Sequence, residues 1–210
     1  MIKYELIPEQ LIRENTCSFD NFFEPGIISD KIVLKTHKQE YFERLKNLKL
    51  SKKEIREIGF PLSKELIERE MVIAQGTIEC VHYSIKHGIS MNIAGGTHHA
   101  FYNRGEAFCM LNDQAVAANY LINKELVKKV MIIDLDVHQG NGTASIFSKN
   151  DKVFTISFHG KKNYPFRKEK SDIDLELDDN TDDQSYLKKL KDIIPNAIDN
   201  FKPDFIFYLS

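Results

Sequence analysis

The sequence predicts an α/β fold in which a mostly parallel sheet is flanked by helices. Three observations favour it. The apolar run at residues 130–133 continues into acids and glycines, which is typical of a strand buried on both faces of a parallel sheet. Residues 153–158 and 205–209 are further β-branched or aromatic runs. Amphipathic segments separate the runs, and strands that alternate with helices form right-handed βαβ units.

Helices are predicted where apolar residues recur every three or four positions. The longest covers residues 64–86, with Ser63 as its expected N-cap and Gly88 at its end. Pro195 lies inside the last helical pattern, so a kink or two shorter pieces are expected there. In chain order, the predicted helices are residues 3–15, a short helix capped by Ser29 or Asp30, 39–48, a short helix capped by Ser51, 64–86, a helix after the segment FCMLND, 143–147 and 186–201.

The predicted strands are short and end in glycine or polar residues. Residues 89–94 are expected to form a strand that leads into Gly95 and Gly96, and the central strand is expected to cover residues 130–137. The segment 161–183 is highly charged and has little periodicity, so it is predicted to be a long solvated loop.

Size and composition predict a single domain over residues 1–210. The apolar content of 42% is enough for a sizeable core, and the formal charge of -2 gives no general attraction to nucleic acid. No apolar run has membrane-spanning length, and the first residues lack the apolar core of a signal peptide. Cys17, Cys80 and Cys109 are widely spaced and odd in number, which favours reduced thiols and a cytoplasmic location.

Two acids and an imidazole lie at the carboxyl end of the central strand, in the segment DLDVHQGNG. Asp134, Asp136 and His138 alternate along the chain, so a continuing strand would point all three to one side. Acids at a strand end often cap the next helix, but burying two like charges without a cation is costly. Carboxylate oxygen and imidazole nitrogen are suitable ligands for zinc or another borderline divalent metal. The spacing therefore favours a metal site at the carboxyl edge of the sheet.

Two adjacent histidines, His98 and His99, follow the Gly95–Gly96 pair at the end of another predicted strand. Paired glycines allow close backbone approach or a positive φ angle. The histidines are expected at the same sheet edge as Asp136 and His138, where an imidazole can transfer protons near neutral pH. Consecutive residues generally project differently, so the two rings need not have the same role.

Four motifs resemble those of the histone deacetylase family and occur in the same order. They are GGTHHA, FCMLND, DLDVHQGNGT and TISFHG. That family also includes acetylpolyamine amidohydrolases and acetoin-utilisation proteins, and the resemblance extends over about residues 25–210. The segments HQGNG and KNYPFRKE are most similar to a bacterial branch related to the class IV enzymes. The resemblance implies an arginase/deacetylase-like α/β fold and zinc-dependent hydrolysis of an acetylated amine, which could be a protein lysine, a polyamine or a small metabolite.

The resemblance also implies roles for individual residues. Asp136 and His138 would bind zinc, with Fe2+ as the alternative metal, and Asp134 would hold His98 by a hydrogen bond. His99 would be the general base and acid. Its partner would be Asn141 where many members have Asp, and a neutral partner leaves an imidazole less basic.

Further positions carried over from the family are a tunnel and an ion site. Ala107 and Phe108 would form one wall of the acyl-lysine tunnel, and Tyr164 the opposite wall. Asp134 and Ser157, with nearby backbone carbonyls, would bind a structural potassium ion.

By the same resemblance, the chain is expected to be a partial domain, truncated at both ends and incomplete on the C-terminal side of its sheet. The family's third metal ligand and its transition-state tyrosine would follow residues 205–209. An alternative is therefore an inactive member that acts as a binding or interaction protein, or a fragment without function. Arginase-like chemistry would need more carboxylates than the sequence offers. Nothing in the sequence sets the oligomeric state.

Overall fold

A computed structural model describes residues 2–210, and within that range the strands form one sheet whose neighbours all run parallel. The strands are β1 (Val130–Asp134), β2 (Val153–Gly160), β3 (Ile173–Leu177) and β4 (Phe205–Leu209). Their order is β3-β2-β1-β4, so β1 lies inside the sheet between β2 and β4. The predicted α/β class with a parallel sheet is confirmed.

Helices connect and cover the strands. Ser51 and Ser63 are N-caps as predicted, because their side chains accept hydrogen bonds from the backbone N–H groups of Glu54 and Leu66. The helices are α1 (Lys3–Arg13), α2 (Asp30–Val33), α3 (Gln39–Lys46), α4 (Lys52–Ile58), α5 (Lys64–His87), α6 (Asp113–Asn123), α7 (Asn141–Phe147) and α8 (Asp183–Phe201). Among residues 2–210, none of these helices is long and apolar enough to cross a membrane.

Strand β1 is buried along its whole length and separates two apolar clusters. Successive strand residues point to opposite faces, so Val130 and Ile132 pack with α5 and α6, whereas Met131 and Ile133 pack with α8. The continuous apolar run that predicted a doubly covered strand therefore has helices on both sides of it.

The predicted strand at residues 89–94 is wrong. Ile89 and Met91 are 82% and 75% exposed, and the segment has no strand partner within the described chain. The Asn92 side chain instead donates to the carbonyl of Ile73 and to the hydroxyl of Thr77, both on α5. These polar contacts tie the segment to a helix, so it does not join the sheet.

Two other predictions need correction. The expected loop at 161–183 contains β3, whose sequence IDLEL alternates apolar and polar residues and pairs with β2. A kink or two shorter helices were expected at Pro195. The division into two helices is wrong, because α8 is one helix of 19 residues that includes this proline. A proline inside a helix removes a single backbone donor, and the apolar face of α8 packs on the sheet on both sides of it.

Candidate active site

Strand β1 ends at Asp134, three residues earlier than predicted, because side chains begin to accept the backbone hydrogen bonds. Oδ1 of Asp134 accepts from the N–H of Asp136 at 3.0 Å, and Oδ1 of Asp136 accepts from the N–H of His138 at 2.7 Å. Residues 134–138 thus bend through two successive side-chain-to-backbone hydrogen bonds and do not alternate as a strand would. The bend still presents Asp136 and His138 together at the carboxyl edge of the sheet.

The loop with the two histidines is held by Asp113, at the start of α6. The buried carboxylate of Asp113 accepts hydrogen bonds from the backbone N–H groups of Gly96 and Thr97, and from the hydroxyl of Thr97 at 2.7 Å. It also accepts from the hydroxyl of Thr77 on α5 at 2.6 Å. Gly96 has a φ angle of 92°, which suits glycine. The loop is therefore fixed by α5 and α6, and within residues 2–210 no strand precedes it.

Asn112 supports the same loop and was missed by the sequence reasoning. Its Oδ1 caps α6, and its Nδ2 donates to the carbonyl of Ala100 at 3.2 Å and to the hydroxyl of Thr143 at 3.0 Å. His37 is structural, because one ring nitrogen contacts the carbonyl of Phe101 at 2.9 Å and the other accepts from the N–H of Asn112 at 3.0 Å. Burial lowers the pKa of His37 to about 4, so the ring is neutral.

His98 and Asp134 form a buried pair, as the family resemblance implied. Nδ1 of His98 lies 2.5 Å from Oδ2 of Asp134, and both side chains are less than a tenth exposed. Burial alone would lower the pKa of His98, but the charge of Asp134 and its hydrogen bond outweigh burial and raise it. The structure thus gives His98 a positive bias.

His99 has a different hydrogen-bond partner from His98, and its pKa is shifted in the opposite direction. Its Nδ1 lies 2.7 Å from Oδ1 of Asn141, the first residue of α7. Burial, followed by the neighbouring positive charge of His98, lowers the pKa of His99 to about 4. The two rings are 4.1 Å apart between centroids. A neutral His99 with Nδ1 occupied by an acceptor leaves Nε2 free to take a proton.

The acid–imidazole couple Asp136 and His138 lies beside His99. Oδ1 of Asp136 is 3.0 Å from Nδ1 of His138, and the rings of His99 and His138 are 6.1 Å apart. Zinc bonds oxygen and nitrogen at about 2.0–2.2 Å, so both atoms could contact one ion. The donor types and the spacing fit two ligands of a divalent cation. Within residues 2–210, no group of three or more His, Cys, Asp or Glu is arranged to hold a metal.

Ala107 and Phe108, predicted to form one tunnel wall, lie beside the end of α4, and their role in a tunnel stays a prediction. Ala107 and Phe108 have φ angles of 44° and 67°, and Phe108 is 59% exposed. Their backbone N–H groups donate to the carbonyls of Glu57 and Ile58 at 2.9 and 2.6 Å, which fixes residues 107 and 108 to the end of α4. Phe60, which was not predicted as a site residue, packs against Phe108 in a tilted arrangement, with the ring centroids 4.9 Å apart.

Tyr164, the predicted opposite wall, lies beside His99, with its ring edge-on to that ring at 5.0 Å and 6.3 Å from the ring of His138. Its hydroxyl donates to Oε1 of Glu106. Burial, and then the hydrogen bond and charge of Glu106, raise the pKa of Tyr164, so the phenol stays protonated. Glu106 also accepts from Nδ2 of Asn141 at 3.0 Å, and it was not predicted as a site residue.

The two residues assigned to the potassium site, Asp134 and Ser157, are register partners on β1 and β2. Both are buried, and the hydroxyl of Ser157 lies 3.0 Å from Nδ1 of the buried His159. The potassium site stays a prediction.

The fold and the site together define a class of protein: a parallel α/β protein with a pair of buried histidines next to an acid–imidazole couple at the carboxyl edge of its sheet. The chain belongs to the histone deacetylase family, since the family model described as the histone deacetylase domain matches residues 2–210. The predicted family and the deacetylase-like α/β fold are confirmed.

Individual relatives agree with this assignment. An uncharacterized protein of Picosynechococcus sp. is 36% identical over 208 residues, which cover 99% of this chain and 69% of that protein. The acetoin utilization protein AcuC of Staphylococcus aureus is 29% identical, over all of this chain and 59% of its own length. Among solved structures, an HDAC homolog from Aquifex aeolicus has a TM-score of 0.80 and 25% identity, over 92% of this chain and 58% of that one.

Proposed function

We propose that these residues belong to a zinc-dependent deacetylase-type amidohydrolase that releases acetate from an acetylated amine. The observation that supports the proposal most is that the two histidines have different hydrogen-bond partners and pKa values shifted in opposite directions. His98 is biased towards its protonated form by Asp134, whereas His99 is neutral and bound through Nδ1 to Asn141. An amide hydrolase needs both a proton acceptor and positive charge near the developing oxyanion.

The roles follow from this geometry. Nε2 of His99 takes a proton from the attacking water and returns it to the departing amine. His98 stays in place as a positive neighbour, 4.1 Å from His99 between ring centroids. Asp136 and His138 would hold the divalent ion, which when bound polarises the acyl carbonyl and acidifies water. Phe108 and Tyr164 would enclose the apolar part of the acylated side chain, because Phe108 is an exposed aromatic ring and Tyr164 lies edge-on to the ring of His99.

The substrate class we propose is an acetylated amine, and the chain itself does not distinguish a lysine in a protein from a polyamine or a small metabolite. AcuC is named for acetoin utilization, which makes small metabolites reasonable candidates to assay. We further expect a cytoplasmic protein, and the three cysteines support this expectation because all are free thiols.

The test is acetate release from acetyl-lysine peptides, acetylated polyamines and small acetylated metabolites by the purified protein supplied with zinc. We expect His99→Ala to lower kcat by about a hundredfold to ten-thousandfold, the usual contribution of general acid–base catalysis. His82→Ala is the matched control, because His82 is an exposed histidine of α5 that contacts Tyr120. Equal rates for the two variants would contradict the proposal.

A family member that binds an acetylated amine without hydrolysing it is the second candidate. It would apply if no third protein ligand joined Asp136 and His138, because catalytic zinc usually has three protein ligands. Binding of an acetyl-lysine peptide without acetate release, unchanged by His99→Ala, would support this candidate. A large loss of turnover in the same variant would exclude it.

A further inference from the structure

The hydrogen-bond partner of His99 is the side-chain amide of Asn141, and an amide can face the imidazole with the wrong end, whereas a carboxylate cannot. A carboxylate accepts a hydrogen bond with either oxygen, whereas an asparagine has an accepting oxygen at one end and a donating NH2 at the other. If Asn141 turned its NH2 towards His99, Nδ1 would have to accept and Nε2 would hold the proton. His99 could then no longer take a proton through Nε2. Something must therefore fix which end of Asn141 faces the imidazole.

Two contacts specify the orientation of the Asn141 amide independently of His99. The backbone N–H of Gly142 donates to Oδ1 of Asn141 at 3.0 Å, so this end must be the oxygen. Nδ2 of Asn141 donates to Oε1 of Glu106 at 3.0 Å. An ionised carboxylate can only accept, so the end that faces Glu106 must be the NH2 group.

Glu106 is itself held from several sides. Its Oε2 lies 3.2 Å from a guanidinium nitrogen of Arg104, whose guanidinium stacks 3.5 Å from the ring centroid of Phe101. Its backbone N–H and carbonyl both pair with Cys109 at 2.9 Å. The side chain is 20% exposed, so its hydrogen bonds are only partly replaced by water when they are lost.

The same oxygen of Glu106 also accepts from the hydroxyl of Tyr164. One carboxylate thus joins the partner of His99 to the aromatic ring that lies edge-on to His99 at 5.0 Å. Asn141 and Tyr164 are 35 and 58 residues away from Glu106 in the chain, so each contact joins separate loops.

We propose that Glu106 is the positioning residue that orients the amide of Asn141, and through it keeps His99 in the tautomer with the proton on Nδ1, while it holds Tyr164 against the same ring. This inference deepens the proposed function and rests on it only for its effect on turnover. Glu106 does not touch the acyl group or take the proton. Its effect is transmitted through Asn141 and Tyr164.

The direct test is the tautomer of His99, measured by NMR of the metal-free protein with 15N-labelled histidine rings at neutral pH. The His99 signals are assigned by their loss in His99→Ala. In the wild type we expect the Nδ1–H form. In E106L the ratio of Nδ1–H to Nε2–H should fall at least about tenfold, because the loss of a hydrogen bond to a charged group changes an equilibrium constant by about that factor. In E106Q the ratio should fall much less than in E106L, since the amide oxygen can still accept from Asn141 and Tyr164 while its NH2 group faces Arg104.

Two comparisons exclude a merely structural effect. E68L places the same change at the exposed Glu68 of α5 and should leave the His99 tautomer unchanged. In the N141D background, E106L should cause no further shift, because a carboxylate accepts from Nδ1 whichever way it turns. If E106L does not fold by circular dichroism, E106A gives the same comparison with a smaller side chain. A folded E106L or E106A with the wild-type tautomer, or an equal shift in the N141D background, would overturn the inference.

Turnover separates this inference from the proposed function. If the protein is a deacetylase, E106L should lower kcat about tenfold, in line with the same hydrogen bond, and E106Q should restore most of it. If E106L shifts the His99 tautomer but the wild-type protein releases no acetate, the positioning role is supported and the proposed activity is contradicted. Full activity of E106L together with an unchanged tautomer would contradict the positioning role alone.

Discussion

Oδ2 of Asp134 and Nδ1 of His98 are 2.5 Å apart, and both side chains are buried at the carboxyl end of β1. The same carboxylate accepts from the N–H of Asp136 through its other oxygen at 3.0 Å. Asp134 therefore fixes both the first histidine and the bend that presents Asp136 and His138. A change at Asp134 should affect the whole edge of the sheet.

We predict that Asp134→Asn lowers the free energy of unfolding by about 1–3 kcal/mol, since a buried donor or acceptor loses its partner. An asparagine can accept from His98 or from Asp136 with its oxygen, but its NH2 group then faces a donor. Urea denaturation at neutral pH measures the loss. Asp199→Asn on the exposed side of α8 is the control and should change stability by less than about 0.5 kcal/mol. Similar midpoints for both variants would contradict this account of the pair.

Asp113 should be equally important for the histidine loop, although it contacts neither ring. Asp113→Asn would place an NH2 group against the donors of Gly96, Thr97 and Thr77. We expect a loss of about 2 kcal/mol or more in the free energy of unfolding and faster amide hydrogen exchange at residues 96–99. Thr97→Ser keeps the hydroxyl and should preserve the exchange rates. Unchanged exchange in Asp113→Asn would show that α6 does not hold the loop.

The sequence was sufficient to predict that His98, His99, Asp134, Asp136 and His138 lie together. Topology explains this for Asp134, Asp136 and His138, which lie at or just after the end of β1 at the carboxyl edge of the parallel sheet. His98 and His99 reach the same edge through the loop that Asp113 holds, and not through the predicted strand. The predicted strand at 89–94 was wrong because its apolar residues, such as Ile89, are exposed and a polar Asn92 anchors the segment. Local pattern contains no information about such a tertiary anchor.

Supporting residues were harder to predict than the reactive ones. Glu106 acts on residues 35 and 58 positions away, and Asp113 on a loop 16 positions earlier. In the sequence, Glu106 is one acid in a polar loop and Asp113 is an ordinary first residue of a helix. The alternation in IDLEL was a usable signal for β3, but it lay in a segment whose high charge suggested a loop.

Glu70 gives a prediction about pH. Its carboxylate is buried in α5, where Oε1 contacts Arg69 at 2.9 Å and Oε2 has no hydrogen-bond partner among residues 2–210. Burial raises the pKa of Glu70 from 4.5 to about 7; the positive charge of Arg69 opposes the shift, and Asp113 adds to it. The folded state therefore retains a proton that the unfolded state releases. This contribution to stability is complete below about pH 4.5 and is lost as pH rises through 7.

We predict that Glu70→Gln removes this pH dependence, because glutamine does not ionise. The free energy of unfolding of the variant minus that of the wild type should therefore increase by up to about 3 kcal/mol between acid pH and pH values above 7. Urea denaturation across the pH range from 4 to 8 measures it. Glu68→Gln, two positions earlier on the exposed side of α5, should follow the wild-type profile. A wild-type stability that does not decline between about pH 4.5 and pH 7 relative to Glu70→Gln would be inconsistent with a protonated Glu70.

Gly59 determines where Phe108 lies, and a matched glycine isolates the effect. A Cβ at Gly59 would be 2.8 Å from Cε1 of Phe108, and the φ angle of Gly59 is 85°. Gly88 has a similar φ angle of 92°, but a Cβ there would meet nothing within 4 Å. Both Gly59→Ala and Gly88→Ala should cost about 1 kcal/mol or more through backbone strain. Only Gly59→Ala should also displace the Phe108 ring.

The displacement of Phe108 has a consequence for the proposed tunnel. Phe108 packs on Phe60 at 4.9 Å and its N–H is held by Ile58, so the ring cannot yield without breaking one of these contacts. We expect Gly59→Ala to weaken binding of an acetyl-lysine peptide severalfold, by calorimetry or as a raised KM, while Gly88→Ala binds as the wild type does. Because backbone strain is common to both variants, equal affinity would mean that Phe108 does not line the acyl site.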